Sequence, residues 1–293
     1  MAPSKPVEIV CRPIRDDDLA AVIACLRRGF PERPRRYWER AFARLALRPT
    51  IDDYPRYGHV LIVDGAVVGV LLQIFSRQDA GAEGGVRCNI SSWCVDVDFR
   101  AYSLMLHMAA VKRPEVTYLN VSPAIHTRKT IEALGFRCFA RGRMIAAPIL
   151  SAPQRGARVV AFAADRPEAA LLAPAERQIL AEHAAFGCRA LVCVQDGVAY
   201  PFVFQTQAVA RALVPCAQLI YCRDWREFVR FANPIGRYLL WRGEALCALD
   251  AMGPLPGLVG RFVSGRASPR YFKGPAQPRL GDLAYTELVV LGR

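Results

Sequence analysis

The sequence lacks the features that mark several large protein classes. Its ten cysteines include no CxxC pair, and none stands near a histidine at zinc-ligand spacing, so no metal site is expected. Most lie inside apolar runs, as Cys188 and Cys193 do in CRALVCV, where a free thiol acts as a small buried hydrophobe. That usage points to a reducing cytoplasm. No stretch of about 18 uncharged apolar residues exists, which argues against a membrane span. The opening MAPSKPVEIVCRPIRDDD lacks an apolar signal core, so no secretion signal is expected. No phosphate-binding P-loop, dinucleotide fingerprint or GxSxG elbow appears.

What is present is basic and apolar. The 293 residues carry a formal charge of +13, scattered except in RRGFPERPRRYWER, residues 27–40. No zinc finger, helix-turn-helix or RNP-like strand accompanies that charge, so nucleic acid is not the expected partner. A solvated arginine-rich surface, or a basic mouth for a phosphorylated cofactor, accounts for it. Apolar residues make up 53% of the chain, enough for ordinary packed cores, and the length fits two domains of about 150 residues.

Periodicity orders the first half. VEIVCRPIR reads as a strand. LAAVIACLRRGF reads as a helix behind three aspartates and stops at Pro31 and Pro34. Residues 37–47 form a second helix with Trp38, Ala41, Phe42 and Leu45 on one face. HVLIVDGAVVGVLLQIF is a hairpin about Asp64-Gly65. A glycine-rich loop, AGAEGG, leads to the strand VRCNISSWCVDVD and the helix FRAYSLMLHMAAVKR. The strand VTYLNVSP follows, then a helix over residues 124–134 capped by Gly135. The strand pair in FRCFARGRMIAAPIL closes the set. The order β-α-α-β-β-β-α-β-α-β describes an α/β fold with a mixed sheet covered by helices.

SAPQRGA, residues 151–157, reads as a boundary between domains at 1–150 and 158–293. Beyond it the pattern recurs. LAPAERQILAEHAAFG is a helix, and ALVCVQDGVAYPFVFQTQ is a hairpin about Asp196-Gly197, one domain length after the first. A tandem duplication is the reading. CAQLIYCRD, a helical stretch divided by Pro234, and EALCALDA follow; a Pro/Gly loop and a closing strand end the chain.

Residues 87–136 resemble the GNAT superfamily of acyl-CoA-dependent N-acyltransferases. The resemblance implies a GNAT-like fold, in tandem here with a degenerate second copy, and a central strand that splays from its neighbour to admit the pantetheine arm. In the family an arginine or glutamine, two residues, a glycine, one residue, and glycine or alanine form a turn whose amides bind the coenzyme A pyrophosphate. Here Arg100 fills the first position, Ser103 the glycine and Met105 the last. The implied cofactor-binding residues are Cys94, Val95, Val97, Arg100, Ala101, Tyr102, Ser103, Leu104, Asn120 at the end of VTYLN, and His126 near the next helix start. Gly135-Phe136 matches the family's helix end, but Ile131 replaces the usual tyrosine acid.

The reaction needs a base for the attacking ammonium and donors for the thioester carbonyl. Asp96, with Ser92 (and Ser91) positioning a water, is the candidate catalytic set, and backbone amides near Cys94 to Val97 are the candidate donors. Strand-end capping is the simpler role for the aspartate. The implied activity is acyl transfer, most simply acetyl, from acetyl-CoA or another acyl-CoA to an amine acceptor. A catalytically inactive binding or regulatory protein of the same fold is the alternative, consistent with Ser103, Met105 and Ile131.

Overall fold

The computed structural model describes residues 8–77, 85–209, 214–264 and 269–292. AGAEGG and the connection after residue 209 lie wholly or almost wholly outside them. In chain order the first elements are β1 (Ile9–Pro13), α1 (Leu19–Gly29), α2 (Arg35–Ala46), β2 (Gly58–Val63), β3 (Ala66–Arg77), β4 (Val86–Val95), α3 (Ser103–Ala110) and β5 (Thr117–Asn120). Next come α4 (Arg128–Ala133), β6 (Arg137–Ala140), β7 (Gly142–Ala146), β8 (Arg158–Ala161), α5 (Pro167–Ala170), α6 (Pro174–Ala185), β9 (Arg189–Gln195) and β10 (Val198–Val209). The last are β11 (Val214–Tyr221), α7 (Trp225–Arg230), α8 (Ala232–Leu240), β12 (Leu246–Ala251), β13 (Gly260–Ser264), β14 (Arg270–Lys273) and α9 (Glu287–Val290).

The described residues fall into two compact units: 8–77, 85–120 and 285–292 in the first, Val121 to Ala284 in the second. The first unit therefore stops at the end of β5 and takes back the C-terminal segment, whereas SAPQRGA lies inside the second. Pairing explains this. β7, the second strand after α4, is hydrogen-bonded between β12 and β13, so it is anchored to the later sheet.

In the first unit the strand order is β1-β2-β3-β4-β5, antiparallel except for the parallel pair β4/β5. Asp64 and Gly65 take φ of 47° and 80°, the left-handed pair that a two-residue hairpin needs. α1 and α2 bury the expected apolar stripes, including Trp38, Ala41, Phe42 and Leu45. They lie on the face of β4 that carries Cys94, since a Cβ on Gly29 would sit 2.6 Å from Cys94 Cβ. α3 covers the other face: Gln73 of β3 donates to the Ala110 carbonyl at 2.8 Å.

The second unit repeats the order as β8-β9-β10-β11-β12, again with one parallel pair, β11/β12, and extends it with β7 and β13. Asp196 and Gly197 turn its hairpin with φ of 51° and 75°. β6 pairs with β14. Its core gathers Phe202, Phe204, Phe228, Phe231, Ile235 and Leu239. α8 approaches the chain so closely that a Cβ on Gly236 would lie 2.3 Å from the Ile149 nitrogen, so this stretch is packing and not a binding box.

Two expectations are corrected. The helical stretch breaks at Phe231, not at Pro234, because proline in the first turn of α8 has no intrahelical hydrogen bond to lose. ELVV is the helical turn α9, not a closing strand; short apolar runs do not distinguish the two. No helix among the described residues is long and apolar enough to cross a membrane. All ten cysteines are thiols, outside any disulfide.

Candidate functional site in the first unit

β4 and β5 pair in parallel from Arg87↔Thr117 to Asn89↔Leu119, and β5 ends at Asn120. β4 runs on to Val95, paired among the described residues with the strand β3. The central strands thus part. At the same place β4 bulges: Val70 faces Cys94 and Leu72 faces Ser91, so Ser92 and Trp93 together oppose Leu71. Ser92 carries the bulge at φ 52°, a left-handed conformation uncommon for a residue with a side chain. Asp96 donates its N–H to the Val68 carbonyl at 2.8 Å. By antiparallel alternation, Val95 then directs its N–H and C=O away from β3, toward the side β5 has left. Among the described residues, the buried Trp93 indole N–H has no partner, a second donor at the bulge.

Asn89 stands where the strands part. Its Nδ2 donates to the carbonyls of Ile90 and Leu119, both at 3.2 Å, and its Oδ1 accepts the Glu287 N–H at 2.5 Å. Ser91, two residues on and on the same face, donates its hydroxyl to Glu287 Oε2 and lies 3.1 Å from Ser92 Oγ. Neither Asn89 nor Glu287 was expected from the sequence. Nothing local marks them, because the partners are 198 residues apart.

Asp96 is engaged elsewhere. Arg28 of α1 grips its two oxygens at 2.6 and 3.0 Å and also donates to the Val67 carbonyl at 3.0 Å. Cys94 meets Cys25 of α1; their hydrogen bond, with burial, raises the Cys94 thiol pKa, keeping it protonated. Residues Val97–Tyr102 form a 3-10 helix leading into α3, so the stretch expected as an open turn partly satisfies its own amides. Phe99 N–H donates to Asp96 and Ser103 N–H to Arg100. Arg100 and Ala101 are exposed, and Tyr102 and Ser103 half-buried. Val97, Leu104 and Met105 are 69%, 53% and 39% exposed, so Met105 does not fill a packed gap. Asn120 is half-buried at the end of β5. His126 is exposed in the second unit, in the 3-10 turn before α4, and Ile131 is fully buried in α4. No cluster of three metal-ligating side chains occurs among the described residues.

The second unit has the same construction with a different outcome. β11 and β12 pair from Cys216↔Leu246 to Gln218↔Ala248, and β11 bulges where Val203 faces Tyr221 and Phe204 faces Leu219. Here the chain itself lies along β11. Leu283 N–H donates to the Ile220 carbonyl at 2.7 Å and Cys222 N–H to Gly281 at 2.9 Å, with Tyr221 bridged to Asp282.

A mixed sheet parted at a bulge between two central strands, built twice in one chain, defines a tandem α/β protein with the GNAT fold. No protein-family model and no curated protein matches the sequence. Solved structures match it. A GCN5-related N-acetyltransferase from Anabaena variabilis superposes with a TM-score of 0.58 at 8% identity, over 90% of this chain and 72% of that one. A protein of the same description from Kribbella flavida gives 0.55 at 12% identity, over 91% and 71%. A putative acetyltransferase from Pyrococcus horikoshii gives 0.51 at 12% identity, over 95% and 93%.

Proposed function

We propose that the chain is an acyl-CoA-dependent N-acyltransferase whose first unit takes the thioester and whose second unit is a degenerate copy. The observation that carries this reading is the contrast between the two bulged strands: β4 leaves its edge unpaired by β5 beyond Asn89, whereas β11 is lined by Gly281–Leu283 of its own chain. An extended amide-containing arm entering beside β4 meets backbone groups of Val95 that need partners, and burying them unpaired would cost several kcal/mol. The similar structures bear names of acetyltransferases, which favours acetyl as the group transferred. In this reading Val95, with Cys94 and Val97 flanking it, lines the arm. Arg100 to Leu104 border the diphosphate, Arg100 supplying charge. Asn120 is the candidate at the end of β5. Ser92 shapes the bulge, and Asp96 fastens the end of β4 to α1 through Arg28. The ten free thiols favour the cytoplasm.

A binding protein without turnover is the second reading, favoured by the 3-10 helix over Val97–Tyr102. Calorimetric titration with acetyl-CoA, followed by a thiol-release assay with a panel of primary amines, separates the two. Micromolar binding that Ser103→Glu abolishes and Arg100→Ala weakens at least tenfold is expected; unchanged affinity in both variants refutes this siting of the diphosphate. Binding without thiol release favours the second reading.

A further inference from the structure

We infer that Glu287, brought back by the C-terminal segment, is the general base of the transfer; this rests on the acyltransferase reading above. Three observations converge. First, Asn89, whose own amide is fixed by the carbonyls of Ile90 and Leu119, holds the Glu287 N–H at the residue where β4 and β5 part. Second, the Glu287 carboxylate binds the Ser91 hydroxyl, which touches the Ser92 hydroxyl, so a chain of exchangeable protons runs from the carboxylate to the bulge of β4. Third, the carboxylate nearest in sequence, Asp96, has both oxygens engaged by Arg28 in a two-point ion pair and is committed to fastening β4 to α1.

The segment is well placed to hold a catalytic group. Tyr285 lies under the Arg48 guanidinium at 5.0 Å, Thr286 is fully buried, and the Gly292 carbonyl accepts from Tyr37 of α2 at 3.4 Å. Burial raises the Tyr37 phenol pKa and the Glu287 charge adds to that rise, so the carboxylate also acts on α2.

Glu287 takes one proton from the acceptor ammonium, directly or through Ser91 and a water. The freed nitrogen forms its bond to the thioester carbon, and the carbonyl π electrons move to oxygen. Collapse breaks the C–S bond, the sulfur leaves with the electron pair, and the second proton of the nitrogen passes to the thiolate. Amide, free thiol and one proton result, with acyl-CoA and a primary amine as the only reactants.

The test uses the full chain. Glu287→Gln and Ser91→Ala are assayed with acetyl-CoA and the primary amine that the wild type turns over fastest, and again with hydroxylamine, which is largely unprotonated at neutral pH. Expected are a fall in kcat of about 10²–10⁴ for Glu287→Gln with the amine, a loss below tenfold with hydroxylamine, and an unchanged Kd for acetyl-CoA. Ser91→Ala, which keeps the carboxylate, loses about tenfold in kcat with KM unaltered. Retained kcat, equal losses with both nucleophiles, or loss of acetyl-CoA affinity in Glu287→Gln overturns the assignment. A wild type that binds acetyl-CoA but acylates neither nucleophile also overturns it and leaves the cofactor site standing. A wild type that does not bind acetyl-CoA overturns the acyltransferase reading itself.

Discussion

Ser92 separates the work of a backbone from that of a hydroxyl, and two substitutions there make opposite predictions. A residue with a Cβ in the left-handed region costs about 1–2 kcal/mol. Ser92 sits there at φ 52°. Glycine removes that cost but loses about 0.5–1 kcal/mol in chain entropy, leaving a net gain of about 0.5–1 kcal/mol. For a protein of this size that is a rise in Tm of about 1–4 °C. Valine, branched at Cβ, moves the other way by about 1–3 kcal/mol, and the bulge relieves the strain by straightening. Straightening shifts β4 by one residue relative to β3 and turns Val95 toward Val70 or Val68. Ser92→Gly is therefore expected to be slightly more stabilised and to keep acetyl-CoA affinity, whereas Ser92→Val loses stability and at least tenfold in affinity. Differential scanning calorimetry and isothermal titration of the same preparations provide the comparison. If Ser92→Val binds acetyl-CoA as the wild type does, the bulge does not build the site. If Ser92→Gly binds normally but loses turnover a hundredfold, the hydroxyl has a chemical role as well.

Two further outcomes concern stability. Asp250 and Arg270 form a buried ion pair in the second unit, with Nε to Oδ2 at 2.7 Å, so Asp250→Ala, which strands a guanidinium, is expected to lower unfolding free energy by about 3–5 kcal/mol in urea. The double change Asp250→Leu with Arg270→Met recovers most of that loss, and a double variant as unstable as the single one refutes the explanation. Burial, opposed by the hydrogen bond to Gln73 and assisted by Lys112, holds His59 below the usual imidazole range. A depressed imidazole folds neutral, so its contribution is complete above the unfolded value of about 6.5 and is lost as pH falls below it. The urea midpoint is expected to drop from pH 7.5 to pH 5.5 in the wild type, and to drop less in His59→Gln; equal slopes contradict this.

Much of the fold was legible because its signals are local. The two Asp-Gly turns, the apolar stripe of α2 and the Gly135 cap each depend on residues within one turn of chain, and each lies where periodicity and turn chemistry put it. The duplication was legible for the same reason. Legibility failed where one local pattern serves two structures, as in ELVV, or where a polar residue's role depends on a distant partner. Asp96 read equally well as a base or as a cap, and it is Arg28, 68 residues away, that claims its carboxylate.

By itself, then, the sequence determined most of the order of strands and helices, the hairpins, and the two copies of one pattern, since hydrophobic period and backbone preference act over a few residues. The tertiary structure alone decided that β7 belongs to the later sheet, that one bulged strand is lined by Gly281–Leu283 while the other is not paired by β5 beyond Asn89, and that Glu287 lies on Ser91. Those arrangements arise from long-range pairing and loop closure, whose free energies carry no imprint in any short stretch of residues.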